Sequence, residues 1–450
     1  MFRIHRTSPH RTRSLSGAVR LAALAGLATL LPDDARGQTE APRLTLGRVY
    51  QVLEARSPRL EAARALAVAA EARVSPVARL PDPQFQFGLM NRNLPSLGLQ
   101  DPLGMNTIQL MQMVPIAGKL GLAGREAQAQ ADATRERAAD LGWEVRARAA
   151  MAFYDLYQTD QSLAVALATQ RLLRDIAKTA ENMYAVGQGR QADVLRAQVE
   201  LARMTEDITR MRAMRESMAA RLNALLNRPA NTEVPAPGLP VFPADLPVRD
   251  SLEQLALANR PMLKAGAHDV RAAEAAARRA RREIWPDLQL GVQYGQRPMA
   301  AGTDRMVSLM VGFTLPIFAG SRQLKMREET QAMKLMATAD LEAMRADTRG
   351  RLGELYADVQ RARNLTTLYR NTIIPQSEAT VASALSTYRL GGVDFMTLLD
   401  DQMTVNRYRQ DLFQLEADQG KALAELEMLI GGELLDPNTG AEPFPAGGDK

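Results

Sequence analysis

The stretch "YAVGQGRQADVLRAQ" (residues 184–198) recurs about two hundred residues later as "YRLGGVDFMTLLDDQ" (residues 388–402). Each copy begins with Tyr, has Gly three residues later, and continues through a polar turn to Leu and Gln at matching places. Each copy also follows a long run with very little Pro or Gly. A turn that occurs twice, each time at the end of a long helix, indicates an internally duplicated chain of helical hairpins.

The duplication extends over most of the chain at an offset of about 200 residues. "LPDPQFQFG" aligns with "WPDLQLGVQ", "FYDLYQ" with "LYADVQ", and "MVPIAGKL" with "TLPIFAGS" after one residue of slippage. The sequence therefore predicts a first structural repeat over 38–227 and a second over 251–431. Between them lies a Pro-rich linker, 228–250, that cannot continue a helix, and a flexible C-terminal tail follows over 432–450.

The first 37 residues have the layout of a secretory signal peptide. Several Arg precede the apolar run "LAALAGLATLL", which is too short to span a membrane, and small residues follow at Ala35 and Gly37. This segment carries six Arg and two Asp, so its removal lowers the formal charge from +5 to +1. The basic pI therefore gives no indication of nucleic-acid binding. A disordered basic tail is the alternative interpretation.

Composition excludes several chemistries. The chain has no Cys, which rules out disulfides and thiolate sites. His268 is the only His beyond the predicted signal peptide, so two-His metal sites and His-based triads are excluded by count. No nucleophile–base pair or metal-ligand set is recognisable, and neither an enzyme nor a cofactor is predicted. No later segment has 18 consecutive apolar residues, but membranes are also crossed by short alternating strands.

Each repeat is predicted to run in the order short helix, two strands, very long helix, turn, shorter helix. A helix of roughly 70 residues is a rod of about 100 Å, which needs coiled-coil support. Two half-length helices stacked end to end would pair with one full-length helix. The predicted helices cover 45–79, 118–186 and 192–227 in the first repeat, and 251–284, 321–390 and 396–430 in the second.

Four segments alternate apolar with polar or small residues, as strands do. They are "QFQFGL", "NTIQLMQM", "QLGVQY" and "VSLMVGFTL". Such alternation is typical of membrane β-strands, although a half-buried soluble sheet is the commoner source of the same pattern. Four strands cannot close a barrel, because about eight are needed, so several chains must contribute.

The chain resembles the TolC-type outer-membrane efflux channels over essentially all of its length beyond residue 37. The duplication, the strand pair in each half, and the Y-x-x-G turn followed by D-V-L or L-L-D carry the resemblance. It implies a mainly α fold with a small membrane β part, in which four strands per chain complete a twelve-stranded trimeric barrel. Long helical hairpins would form a tunnel from the outer membrane into the periplasm. The region "MNTIQLMQMVPIAGKL" is similar to the heavy-metal-exporting branch of the family.

The implied function is the channel of a tripartite efflux system, a passive exit duct for metal ions or small toxic compounds. The implied partners are two further copies of the chain, a periplasmic adaptor (membrane fusion) protein, outer-membrane lipid, and an inner-membrane pump of the proton-driven resistance-nodulation-division type. No nucleic acid is implied. The alternative is a secreted periplasmic coiled-coil protein without a channel, which would have no use for amphipathic strands at mirrored positions.

In the family, the repeated turns form the periplasmic tip of the tunnel, where rings of Asp close the pore. Carboxylate rings are a standard cation-selective constriction. By this resemblance the tip and gate residues are expected to be Gly187, Arg190, Asp193, Gly391, Asp400 and Asp401.

Two positions depart from the family pattern. Asp400 matches a pore-facing Asp, but the second Asp position is Thr397 here. The basic position that links the two turns is Val393, for which Arg190 is the candidate substitute. An ordinary charge at a helix N-terminus is the alternative interpretation of these Asp residues.

Methionine provides a second indication of cargo. Met111, Met306 and Met310 fall on the polar phase of the predicted strands and are candidate lumen contacts for metal. Thioether sulfur suits soft ions such as Cu(I) or Ag(I). Met is also a flexible filler of irregular packing, which is the alternative interpretation.

Overall fold

The structure is a computed structural model that describes residues 43–91, 104–299, 302–390 and 392–438. All of them belong to one compact unit, Pro42–Lys450. The predicted signal peptide, residues 1–37, lies outside the described residues. Among those described, no helix is both long and apolar enough to cross a membrane.

The same order of elements occurs twice, which confirms a mainly helical fold with a small antiparallel sheet. The first repeat contains α1 (Leu46–Arg56), α2 (Pro58–Ala78), β1 (Gln84–Met90), β2 (Met105–Val114), α3 (Lys119–Ala185) and α4 (Gln191–Leu225). The second contains α5 (Arg249–Asn259), α6 (Pro261–Arg282), β3 (Leu288–Met299), β4 (Gly302–Phe313), α7 (Gln323–Leu368), a π-helical turn (Tyr369–Ile373), α8 (Ile374–Arg389) and α9 (Phe395–Ile430).

The first helix of each repeat is two helices, where the sequence predicted one. Pro58 opens α2 and Pro261 opens α6. The residue before a proline is driven towards extended backbone, and Ser57 and Arg260 have ψ of 114° and 118°. A helix tolerates proline in its first turn, because a backbone N–H at that position would have no partner within the helix.

The long helix of the second repeat is not continuous, unlike α3, which runs unbroken for 67 residues. A π-helical turn separates α7 from α8, and Pro375 lies directly after it in the first turn of α8. Pro375 has no N–H to donate, so the local hydrogen-bond ladder must change. Arg370 of this turn forms an ion pair with the buried Glu416, which also accepts a 2.7 Å hydrogen bond from the Tyr157 hydroxyl.

The four strands form one antiparallel sheet in the order β1-β2-β3-β4. Each strand pairs with the next, so residues line up in rows across the sheet. One such row consists of Phe87, Ile108, Tyr294 and Val307, one residue from each strand. Residues opposite each other in antiparallel strands share a face. The sheet therefore has one face that holds these apolar residues, called here the apolar face. The opposite face, which holds Gln109 and Gln293, is called the polar face.

The predicted linker and tail are both packed in part. Leu44 exchanges backbone hydrogen bonds with Ala236 and Gly238 of the linker, at 3.0 and 2.9 Å. The sequence placed 432–438 in a flexible tail, but Leu435 is buried and its N–H donates to Glu427 Oε1 at 2.9 Å. A sequence pattern does not reveal such contacts, because they join segments that are distant along the chain. The rest of the tail, 439–450, lies outside the described residues.

Candidate functional site

The first hairpin turn joins α3 to α4 and is closed by its own backbone. Gly187 has φ of +76°, a conformation that a side chain would strain. The N–H groups of Gln188 and Gly189 then both donate to the carbonyl of Met183, at 2.8 and 2.9 Å. These bonds satisfy the end of α3, and the chain enters α4 two residues later.

The second turn joins α8 to α9 and is also closed by its own backbone, with a different hydrogen-bond spacing. Leu390 and Gly392 donate to the carbonyl of Thr387, at 3.1 and 3.0 Å. Asp394, in extended backbone, then precedes the first residue of α9. Gly391, an expected tip residue, lies outside the described residues.

One apolar cluster holds the two hairpins side by side. It contains Ala180 of α3, Ala197 of α4, Tyr388 of α8, and Phe395 and Leu398 of α9. The rings of Tyr388 and Phe395 are 5.8 Å apart between centroids. The two turns that the sequence repeats are therefore neighbours at one end of the helical hairpins.

Two carboxylates, Asp193 and Asp394, act electrostatically on Tyr388 at this end. Burial raises the pKa of Tyr388, and the negative charges of Asp193 and Asp394 raise it further. The hydroxyl consequently stays protonated and able to donate a hydrogen bond at physiological pH. Sequence reasoning assigned a role to Asp193 but to neither Tyr388 nor Asp394. The Tyr that begins each repeated turn was the available signal.

The remaining candidates differ in their surroundings. Asp193 lies in the first turn of α4, which Arg190 precedes. Within the part of the chain that the structure describes, no ion pair joins Arg190 to Asp193, and the link suggested for Arg190 stays a prediction. Asp400 is exposed and Asp401 is half-buried, both one to two turns into α9.

The tip also carries exposed apolar side chains. Leu390 in the second turn is 88% exposed, and Val186 in the first is 68% exposed. Tyr184 lies beside Val186 and is also exposed.

The metal-contact candidates lie on the sheet. Met111 and Met310 face each other across Gly291, and Met306 is paired with Gly295. All three are on the polar face. Over the described ranges, no group of three or more His, Cys, Asp or Glu side chains is arranged to hold a metal ion.

The fold is that of the TolC-type outer-membrane channels. Residues 252–432 match the family model described as outer membrane efflux protein. The second repeat of the chain is therefore similar to the outer membrane efflux protein family.

Solved structures with the same fold cover most of the chain. The outer-membrane channel OprN superposes with a TM-score of 0.75 at 19% identity, covering 86% of this chain and 90% of that one. CusC gives 0.73 at 16% identity, over 86% and 92% of the two chains. The MtrE channel of Neisseria gonorrhoeae in its open state gives 0.72 at 17% identity, over 87% and 90%.

Curated relatives match over shorter spans. The pyoverdine export outer membrane protein OpmQ of Pseudomonas putida is 27% identical over 188 residues, 39% of this chain and 38% of that protein. Protein CyaE of Bordetella pertussis is 27% identical over 261 residues, 55% of this chain and 54% of that protein. The matched region thus spans about half or less of each curated relative.

Proposed function

We propose that this chain is the outer-membrane channel of a tripartite efflux system, in which three copies form a passive exit duct for metal ions or small toxic compounds. The observation that carries the proposal is the uncovered apolar face of the sheet. Leu309 is 80% exposed on it and Phe85 67% exposed. Strands with one apolar and one polar side are those that line outer-membrane channels against lipid. If the sheet were surrounded by water, its apolar face would be a large exposed apolar patch prone to aggregation.

The sheet also has two open edges in the single chain. Within the described residues, β1 and β4 each pair with a strand on one side only. An open edge of this length invites pairing with another chain. If β4 of one copy pairs with β1 of the next, the backbone N–H and C=O groups of both edges gain hydrogen-bond partners.

The internal duplication supplies the register of that pairing. Pro81 aligns with Pro286 before the first strand of each hairpin, and Pro115 with Pro316 after the second. By these alignments, Gln84 and Met111, which are paired in the first hairpin, correspond to Gln289 and Gly312 in the second. Gln289 and Gly312 are indeed paired in the structure. The two hairpins therefore share one register.

In the duplication, β2 corresponds to β4 and β3 corresponds to β1. The observed β2–β3 pairing within a chain therefore predicts how β4 of one copy would pair with β1 of the next. The observed pair Leu110↔Val292 becomes Val311 of one copy opposite Phe87 of the next. Likewise, Ile108↔Tyr294 becomes Leu309 opposite Leu89. All these residues lie on the apolar face, so the joined sheet keeps its two faces separate.

The helices fit the same assembly. Within the chain, α3 of the first repeat packs on α6 of the second. By the duplication, α7 of one copy packs on α2 of the next. Both helices present exposed apolar side chains for this contact: Leu66 and Val68 on α2, and Met333, Leu335 and Met336 on α7.

Disulfide cross-linking tests the assembly, since the chain has no Cys of its own. Directly opposed residues in an antiparallel pair have Cα atoms about 4.5–5.5 Å apart, inside the range that a disulfide accepts. Oxidation of the V311C/F87C variant should link each copy to the next and give a covalent trimer on a denaturing gel.

Two controls fix the register. V311C/L89C is displaced by two residues, about 7–8 Å, and should link poorly. V311C/G88C places the two thiols on opposite faces and should not link. If a displaced pair links better than V311C/F87C, the register is wrong. If no pair links although the protein is folded, the trimer itself is refuted.

The tip supports the proposed partners. Exposed Leu390 and Val186 in the two turns offer an apolar contact surface to a periplasmic adaptor. The adaptor would connect the channel to an inner-membrane pump, which by family resemblance is of the resistance-nodulation-division type. Reconstitution of the trimer in planar bilayers should give ion conductance, and L390D should abolish adaptor cross-linking in cells while leaving that conductance intact.

A further inference from the structure

The methionines of the sheet are confined to one face. The strands contain seven Met, and the pairing places every one on the polar face: Met90, Met105, Met111, Met113, Met299, Met306 and Met310. The polar face carries no Leu, Ile, Val, Phe or Tyr in these four strands. Methionine used as an apolar filler would occur on the apolar face as well. Its restriction to the face shared with Gln, Ser and Thr indicates another role.

Two glycines of β3 leave gaps on the polar face into which methionines of the neighbouring strands lean. Gly291 is paired with Met111 on one side and Met310 on the other. A Cβ placed on Gly291 would lie 3.3 Å from Cε of Met310 and 3.5 Å from Cγ of Met111. Both side chains therefore fold over the same glycine, one from each neighbouring strand.

Four residues along β3, Gly295 leaves a second gap, over which Met105 leans from a diagonal position in β2. Gly295 is paired with Met306, and a Cβ placed on it would lie 3.2 Å from Sδ of Met105. The strands that carry these methionines are about 9–10 Å apart, twice the spacing of neighbouring strands. An unbranched side chain with three rotatable bonds spans such a gap when no side chain stands between.

We propose that these two methionine pairs bind a soft monovalent cation, Cu(I) or Ag(I), through their thioether sulfurs. Thioether is a soft ligand that selects such ions over Zn²⁺ or Mg²⁺. It has no proton to lose, so binding does not weaken at mildly acid pH as it does at carboxylate or imidazole sites. The inference gives the proposed duct a cargo class and in that respect rests on the proposed function.

The test is titration of the purified full chain in detergent with Ag(I) in chloride-free buffer. The variant M105L/M111L/M306L/M310L removes the four sulfurs with little change of volume. We expect it to bind two fewer Ag(I) per chain, or to bind them at least about tenfold more weakly. The control M211L/M214L, in α4, removes two methionines outside the sheet and should retain both sites.

A second variant retains every sulfur. G291V puts a side chain between Met111 and Met310 and should weaken one site only. G312V adds the same side chain on the same face next to Gln289 rather than methionine, and should have no effect. Unchanged Ag(I) binding in both the quadruple variant and G291V would overturn the proposal. So would wild-type binding lost between pH 7 and 5, which would indicate carboxylate ligands.

Conductance of the same preparations separates this inference from the channel proposal. A wild-type protein that conducts but binds Ag(I) no better than the quadruple variant refutes the metal site and leaves the channel in place. A protein that binds Ag(I) through these methionines but never conducts refutes the channel and leaves the site in place.

Discussion

Lys119 and Asp287 form an ion pair with 2.8 Å between Nζ and Oδ1, although 168 residues separate them in the chain. The same ammonium donates to the carbonyl of Trp285 at 2.8 Å and lies 3.4 Å from Glu283 Oε2. Lys119 opens α3, and Asp287 directly precedes β3. The pair therefore joins the first repeat to the second where the helices meet the sheet.

Loss of this ammonium should weaken the junction. The Lys119 side chain is only 7% exposed, so K119M leaves a carbonyl and a carboxylate without their donor. We expect a loss of about 1–3 kcal/mol, measured as a lower Tm of the detergent-solubilised protein. K325M is the matched control, because Lys325 pairs with Glu328 on an exposed helix surface and should contribute less than about 1 kcal/mol. Equal effects of the two changes would contradict this role.

The duplication predicts a related ion pair between copies. Asp82 follows Pro81 as Asp287 follows Pro286, and Arg322 directly precedes α7 much as Lys119 opens α3. In the proposed trimer, Arg322 of one copy should pair with Asp82 of the next. D82R and R322D should each lower the trimer fraction on a mild-detergent gel, because like charges would meet. The double variant D82R/R322D should restore it, and failure to restore it would place the two residues apart.

The Tyr388 hydroxyl should hold the tip closed. Y388F keeps the ring contact with Phe395 but removes the donor near Asp193 and Asp394. In the closed tip this hydroxyl is expected to donate to one of the two carboxylates, and loss of a hydrogen bond of about 0.5–1.5 kcal/mol would shift the equilibrium roughly 2- to 10-fold towards the open tip. Single-channel recordings should therefore show longer openings. Y184F changes the exposed, equivalent Tyr of the first turn and should have no such effect.

The pH dependence of this contact follows from the raised pKa of Tyr388. A group whose pKa is higher in the folded state stabilises that state below its unfolded pKa, about 10 for Tyr, and stops doing so as pH rises through the folded value. The difference between wild type and Y388F should hence stay constant from pH 6 to 9. A difference that vanishes within that range would mean that the hydroxyl is not the donor.

Strand and helix periodicity predicted most of the fold, because burial on one side repeats every two or 3.6 residues. β1, β2, α3, α4 and α9 lie within two residues of their predicted bounds, whereas β3 ends five residues later and β4 begins five residues earlier than predicted. The π-helical turn before Pro375 was not predicted, since its position depends on how the freed carbonyls are satisfied by neighbours.

The candidate site was predicted only in part. The repeated sequence predicted the two turns that the structure brings together, and alternation predicted the polar-face positions of Met111, Met306 and Met310. The contact of Tyr388 with the first hairpin and the reach of Lys119 to Asp287 could not be predicted, because both join residues of different repeats. The sequence gives no sign of a role for Gly291. Only the strand pairing shows that Met111 and Met310 lie on either side of it.

Glu427 should make stability depend on pH. Burial raises its pKa, although the N–H groups of Leu434 and Leu435 donate to its Oε1 and Arg146 is nearby. With the folded pKa above the unfolded one, its contribution to stability is fully present below about pH 4 and is lost as pH rises through the folded pKa.

E427Q keeps the accepting oxygen and removes the charge. Its Tm should exceed that of wild type at pH 7.5, and the two should converge at pH 4. E342Q, at an exposed position on α7, should show no difference at either pH. A Tm for E427Q below wild type at pH 7.5 would mean that the charge itself stabilises the fold.

Asp400 should set the ion selectivity of the tip. It is exposed on α9, whereas Asp401 lies about 100° further round the helix and is half-buried. In the proposed trimer, three Asp400 carboxylates would face one another across the pore and repel unless cations lie between them. With Thr397 at the other expected Asp position, one ring of carboxylates should determine the selectivity.

D400N should lower the cation-to-anion permeability ratio in planar bilayers on the order of a few-fold and weaken block by trivalent cations. D401N is the matched control and should change both much less. A larger effect of D401N would shift the pore-facing register by one residue, and no effect of either would place the constriction elsewhere.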